Sequence, residues 1–325
     1  MIEQIRFAKF AAALMLPLLL FTGVSAQKVS VKKTGRVTTN AVLWEPVNVE
    51  KRDLYLGPGG ASMQPDLTSV KFVEEDKSGH NKKWKIKDAA GRKWVAKFGR
   101  EAQPETAAVR ILYGLGYKTE INYLAPSITI PGKGTFSNVR LEARPENVER
   151  LDQWKWRSNP FTGTDQLQAL KIMMVFMTNW DLLDMQNKVL RVDEGRKTEH
   201  QYIISDLGAT FGRLGNNNIP IFYRLGRKTN DPRAWSKAKF IKGVKNGRLV
   251  MAYTGGKSRG IMNDITVGQG RWLFDMLSRI QEHQWNDAFR AANYSESDIR
   301  ILTAAARRRV GELGAAVGGS RVATK

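Results

Sequence analysis

Apolar positions between Val70 and Phe98 come in short runs, and the pattern then switches to helical spacing. Val70, Phe72 and Val73 form one run, Trp84 and Ile86 a second, and Trp94, Val95, Ala96 and Phe98 a third. Short apolar runs bounded by turn formers predict strands. Asp88-Ala89-Ala90-Gly91 predicts a hairpin turn between the last two, and Lys77 to Lys83 a longer basic loop between the first two. Ala107, Ala108, Ile111, Leu112 and Leu115 then recur as one helical face. Pro104 suits the first turn of that helix, Glu105 the positive end of its dipole, and Gly116 its stop. Tyr123 to Ile130 and Phe136 to Leu141 predict two more strands, and the charged stretch with Pro145 marks a boundary.

The second half reads as mainly helical. Leu167, Leu170, Met174 and Met177 predict a core helix over 165–178. Tyr202 to Ser205 predicts a short strand, and 271–280, 282–292 and 297–313 predict three helices. Gly57-Pro58-Gly59-Gly60 lacks the Lys-Ser/Thr of a phosphate loop and reads as a connector. The expected organisation is a leader (1–26), an amino-terminal extension (27–66), a sheet-rich part (67–144), a mainly helical part (145–314) and a flexible tail (315–325).

Residues 1–26 carry the three parts of a secretory signal: Arg6 and Lys9, an apolar run from Phe10 to Phe21, and small residues at Val24-Ser25-Ala26. Export to a periplasm or the extracellular space is the expectation, with no later stretch apolar enough to span a membrane. The chain has no cysteine and three histidines, His80, His200 and His283. That excludes a disulfide framework and thiolate chemistry, and argues against a histidine-rich zinc centre or a Ser-His-Asp triad. An apolar fraction of 42% supports a real core. A net charge of +21 attracts polyanions. For an exported chain, nucleic acid is not the expected one.

Four residues are candidates for chemistry. Lys97 ends the third strand, Glu105 starts the next helix, Asp181 sits in Asn179-Trp180-Asp181-Leu182-Leu183-Asp184-Met185-Gln186-Asn187, and Asp206 follows a strand in Ser205-Asp206-Leu207-Gly208. Singly, each has a structural explanation: an edge lysine, a helix-start carboxylate, a capped loop and an Asx turn. Their order is the order of parts that phosphoryl transfer needs, which is charge neutralisation and positioning.

With Trp94 to Gly99, Glu101 to Tyr117, Asn179 to Asn187 and Ser205 to Gly212, the sequence resembles a divergent member of the protein-kinase-like superfamily. The flavour is of HipA-type and phosphatidylinositol-kinase-like groups and secreted bacterial relatives, also suggested by Gln284 to Tyr294. The resemblance implies an α+β, two-lobed fold with a small antiparallel-sheet N-lobe and a mainly helical C-lobe. It implies ATP and Mg²⁺ or Mn²⁺ as cofactors. Lys97 would pair with the phosphates and with Glu105, Asp181 would be the base, and Asn187 and Asp206 the metal ligands. The loop with Gly79, Lys82 and Lys83 would cover the phosphates.

Departures from the pattern are specific. Five residues separate Asp181 from Asn187 where the usual loop has four, which makes Gln186 an alternative ligand. No His-Arg precedes Asp181, Asp184 competes with it, Leu207 replaces the usual Phe, and the Ala-Pro-Glu motif is missing. Glu101 is an alternative partner for Lys97.

Residues 220–260 hold eleven Lys/Arg against one acid, Asp231. With Phe222, Tyr223, Trp235, Phe240 and Tyr253 interleaved, Arg224, Arg227, Lys228, Lys237, Lys239 and Lys242 form a candidate surface for an anionic substrate. It reads equally as a solvated face of a basic protein. The leading reading is an exported kinase-like phosphotransferase moving the ATP γ-phosphate to a hydroxyl. The alternative is a pseudokinase-like binding protein holding anionic polymers or membranes. A hydrolase using Asp181 with Asp184 or Asp206 is the third.

Overall fold

The computed structural model describes residues 40–77, 82–215, 226–255 and 258–318. The leader, Gly79 and Arg224 lie outside them. Among the described residues no helix is long and apolar enough to cross a membrane.

A two-residue strand, β1 (Ala41–Val42), opens the described chain, and the first sheet then follows the alternation of the sequence. β2 (Lys71–Asp76), β3 (Lys83–Lys87) and β4 (Lys93–Lys97) pair antiparallel. In β3, Trp84 and Ile86 are buried while Lys85 between them is exposed, which is the period-two pattern of a half-buried strand. The Asp88 carboxylate accepts from the Arg92 N–H, from Trp94 Nε1 at 3.0 Å and from the Asp66 N–H, fixing the β3–β4 turn. Helix α1 (Ala102–Gly114) comes next, then β5 (Asn122–Ile130) and β6 (Gly134–Ala143). The sheet order is β2-β3-β4-β6-β5, and α1 packs against β5 and β6.

The turn-rich stretch before β2 is part of the packing. Leu43, Val49 and Leu54 are buried with Ile111 and Leu112 of α1 and Leu115 at its end. Arg110 of α1 is buried there too, donating to the Tyr55 carbonyl and to Asn122. Gly57 has φ +68°, and a Cβ on it would fall 2.5 Å from the Arg110 guanidinium. The glycine cluster therefore lets the chain close over Arg110, a packing role.

β7 (Val148–Arg150) leads to α2 (Asp165–Phe176), whose residues from Leu167 onward are all buried. Thr164 caps it, its hydroxyl accepting from the Leu167 N–H. A hairpin of β8 (Asn187–Glu194) and β9 (Lys197–Ile204) follows, in a sheet ordered β1-β9-β8-β7. The expected strand at Tyr202 is thus only the end of β9. The remainder carries charged side chains on an open face, which hides the alternation. β10 (Arg213–Leu214) and β11 (Arg227–Lys228) form a short pair before helix α3 (Pro232–Lys237). β12 (Ile241–Lys245) and β13 (Arg248–Met251) make a hairpin inside the basic stretch. Helices α4 (Val267–Leu277), α5 (Glu282–Arg290) and α6 (Glu296–Ala316) close the chain, starting on Thr266, Gln281 and Ser295 respectively.

The architecture is α+β: a small antiparallel-sheet lobe with one helix, then a mainly helical lobe, in the order of a protein-kinase-like fold. The core of the second lobe is aromatic, with Phe176, Phe211, Trp235, Phe240, Trp285 and Phe289 all buried.

Candidate active site

Lys97 is the last residue of β4, and its side chain is almost wholly buried. Its ammonium lies 2.8 Å from Glu101 Oε2, 3.0 Å from Glu105 Oε2 and 3.2 Å from Asp206 Oδ1. An ammonium has three N–H donors, so these carboxylates match its capacity. The chain brings them together from three places: the start of α1 supplies Glu101 and Glu105 one turn apart, and the segment after β9 supplies Asp206. Both candidate partners of Lys97 reach it.

Asp206 Oδ1 also accepts from the Gly208 N–H at 3.2 Å, the Asx turn expected of Asp-x-Gly. Gly208 has a packing requirement of its own. A Cβ there would stand 2.6 Å from the Glu101 Cβ and 2.9 Å from its carboxylate. Gly208→Ala is therefore expected to push Glu101 off Lys97 or shift the Asp206 loop. Overpacking of this kind costs about 1–3 kcal/mol, so thermal unfolding should show a midpoint lowered by several degrees, and an unchanged midpoint would show that the loop absorbs the methyl group.

The electrostatics follow from burial and pairing. Burial works against the Lys97 charge, but Glu105 and Asp206 outweigh it and hold the ammonium firmly protonated. Burial pushes the Glu105 carboxyl up to about 6, opposed by Arg140 and Lys97. Burial also works to raise Asp206, yet Lys97 and the Gly208 N–H win and keep it below the ordinary carboxylate range. Asp181 goes the other way: burial raises it and the Asp206 charge adds to this, against a hydrogen bond from Gln186. Two aspartates with divergent acidities are what an acid–base pair and a charge-holding ligand need.

Asp181 is held by its backbone N–H, which donates to Asn179 Oδ1 at 2.8 Å, and by Gln186 Nε2, which donates to Asp181 Oδ2 at 2.9 Å. A cavity of about 720 Å³ is lined by Lys83, Lys97, Glu105, Gln186 and Asp206 among others. Asn187 is not among its lining residues. It is fully buried at the start of β8, and its Nδ2 donates to the Trp154 carbonyl at 3.1 Å. The extra residue in the loop turns Gln186 toward the cavity and Asn187 into the core. Asp184 is also engaged elsewhere, accepting from the Trp156 N–H. Lys82 sits with its ammonium 4.0 Å above the Trp84 ring and near Phe98 and Phe136, outside the cavity lining that includes Lys83.

The wall of the cavity carries a largely buried ion-pair network that lies outside the sequence-based expectations. Arg140 pairs with Glu105 and Glu142, Arg144 with Glu142, and Arg150 with Glu120 and Glu142. Ser205, next to Asp206, donates to Glu120 at 2.9 Å. The sequence did hold a signal: Val139-Arg140-Leu141-Glu142-Ala143 sets two charges among apolar residues of one strand, and all five are buried.

The basic stretch is divided by the fold. Arg227 and Lys228 line a second cavity of about 730 Å³ with Arg100, Glu101 and Trp180, the residue before Asp181. The Arg227 guanidinium lies 4.7 Å over the Trp180 ring. Lys237, Lys239 and Lys242 are exposed on and after α3 and on β12, and do not line it.

Among the described residues no group of three or more His, Cys, Asp or Glu is placed to hold a metal by itself. Asp206 and the side-chain carbonyl of Gln186 line the cavity and offer hard oxygen donors, which suits a Mg²⁺ held by one carboxylate together with phosphate oxygens.

No family model matches the chain, and no curated protein matches it. Among solved structures, the chain is similar to a Helicobacter pylori proinflammatory kinase, CtkA, at 11% identity and a TM-score of 0.46, over 76% of this chain and 96% of that one. It is similar to the Golgi casein kinase with Mn and ADP bound at 10% identity and a TM-score of 0.38, over 78% of this chain and 73% of that one. A second structure of the Golgi casein kinase gives 11% identity and a TM-score of 0.37, over 83% and 75%.

Proposed function

We propose that this protein is a kinase-like phosphotransferase that holds Mg-ATP, or Mn-ATP, in the cavity lined by Lys97 and Asp206 and moves the γ-phosphate to a hydroxyl of an anionic acceptor. The observation that carries the reading is Lys97 held by Glu105 and facing Asp206, at 3.0 and 3.2 Å, in a cavity large enough for a nucleotide. Lys97 neutralises phosphate charge, Glu105 keeps it aimed, and Asp206 with Gln186 holds the metal. Asp181, whose carboxyl burial holds above the ordinary carboxylate range and which follows Trp180 of the second cavity, takes the acceptor proton. The bound metal would neutralise charge on the transferring phosphoryl group.

The anionic acceptor is supported by Arg100, Arg227 and Lys228 around Trp180. Export, supported by the pattern of residues 1–26, belongs to the same reading.

Thermal unfolding with and without Mg-ATP tests the nucleotide part. A ligand that binds only the native state raises the midpoint. A Mg²⁺-dependent rise is the expected result, and no rise at millimolar nucleotide overturns the reading. The acceptor part has its own test. Arg100→Glu with Lys228→Glu should raise KM for an anionic acceptor at least about tenfold, and wild-type KM should climb with salt. Salt-independent KM in both proteins would remove the anionic acceptor.

A further inference from the structure

Arg140 lies in the middle of β6 between Val139 and Leu141 and is 3% exposed. Its cross-strand partner on β4 is Lys97. Like charges directly opposite on neighbouring strands repel, and a buried cation is costly without a counter-charge. One carboxylate serves both cations, alongside the separate partners that each also has. Glu105 of α1 places Oε1 3.0 Å from Arg140 NH1 and Oε2 3.0 Å from Lys97 Nζ. Arg140 is fixed on its other side by Glu142 Oε2 at 2.7 Å.

The two oxygens of Glu105 are therefore divided between two cations. A carboxylate held only by Lys97 could turn about its terminal bond and follow the lysine. Paired also with Arg140, by an ion pair rather than an aligned hydrogen bond, it is drawn toward one orientation, and Lys97 must come to it. Arg140 also lines the cavity that Lys97 and Asp206 line.

We propose that Arg140 is a positioning residue for nucleotide binding: by fixing one oxygen of Glu105 it aims the other, and through it Lys97, at the phosphates. This rests on the kinase-like reading of the cavity. Arg140 acts through Glu105, so its contribution must disappear when Glu105 can no longer be held as an anion between the two cations.

A double-mutant cycle on the full chain reads this directly, with the dissociation constant for Mg-ATP measured by calorimetry. Arg140→Met should weaken Mg-ATP binding about tenfold or more, whereas in a Glu105→Gln background the same change should cost less than about threefold. Arg140→Lys keeps the charge without the fork that reaches Glu105 and Glu142 together, so it should recover part of the loss. If Arg140→Met does not fold, Arg140→Lys carries the cycle, with a loss in wild type that vanishes beside Glu105→Gln. Equal losses in the two backgrounds, or no loss in either, overturn the proposal and leave Arg140 as a structural charge. Failure of the wild-type chain to bind Mg-ATP would instead overturn the kinase-like reading and this proposal with it.

Discussion

Replacing Asp206 by Asn, or Lys97 by Met, is expected to abolish the Mg-ATP-dependent rise in midpoint. At a ligand concentration a hundred times its dissociation constant, binding to the native state adds about 2.7 kcal/mol. For a chain of this size that is about 5–10 °C, well above the resolution of the measurement. The argument for complete loss is local. Lys97 is the buried ammonium at which Glu101, Glu105 and Asp206 converge, and Asp206 is the carboxylate kept ionised there against burial. Asp181→Asn should behave differently. Its carboxyl accepts from Gln186 and makes no contact with Lys97 among those observed, so the rise should survive while transfer falls about 10²–10⁴-fold, the usual worth of an acid–base group. A rise that persists in Asp206→Asn and Lys97→Met places the nucleotide elsewhere. Transfer that persists in Asp181→Asn removes the base assignment.

Trp235→Ala is expected to give the largest loss of stability of any single truncation in the helical lobe. Trp235 is fully buried, with ring centres 5.0 Å from Phe211, 6.2 Å from Phe176 and 6.5 Å from Phe289. Its Nε1 donates to the Phe176 carbonyl at 3.0 Å. The Arg309 guanidinium lies 4.9 Å over its ring and donates to the Trp235 and Ala238 carbonyls. Truncation removes the ring, opens a cavity, leaves the Phe176 carbonyl without this donor and strips one face from a buried cation. Large-to-small changes of this kind cost about 3–5 kcal/mol. At about 2–4 °C per kcal/mol the midpoint should drop by about 10 °C. Trp235→Phe, which keeps most of the ring area, should lose less than half as much. A drop of only a few degrees in Trp235→Ala would show that this cluster is not where the lobe's stability resides.

Legibility differed from element to element for physical reasons. β3 and β4 read cleanly because a sheet with one buried face writes period two into the sequence. The β12–β13 hairpin was also written there: Asn246-Gly247 takes left-handed φ at both residues, as a two-residue hairpin turn requires. The lysines and arginines of its strands dilute the apolar alternation, so only the turn marks it. The β8–β9 hairpin was masked more deeply. Its exposed residues are long and charged, and its buried ones, Leu190, Val192 and Ile203, are few. Leu43, Val49 and Leu54 sit in a stretch with no periodicity, so nothing local marks them as core.

By itself the sequence determined the order of elements in the sheet lobe, the core helix, and the chemical types at Lys97, Glu105, Asp181 and Asp206. These are local properties, set by periodicity, turn chemistry and the side chains available. Only the tertiary structure decided which groups meet. It put Glu101 and Glu105 on one lysine, turned Gln186 rather than Asn187 to the cavity, drew Arg100 to Arg227 and Lys228, and set Arg140 across from Lys97. Those juxtapositions join residues up to about 130 positions apart, and only the packing of α1 against the sheet and the path of the chain after β9 bring them together.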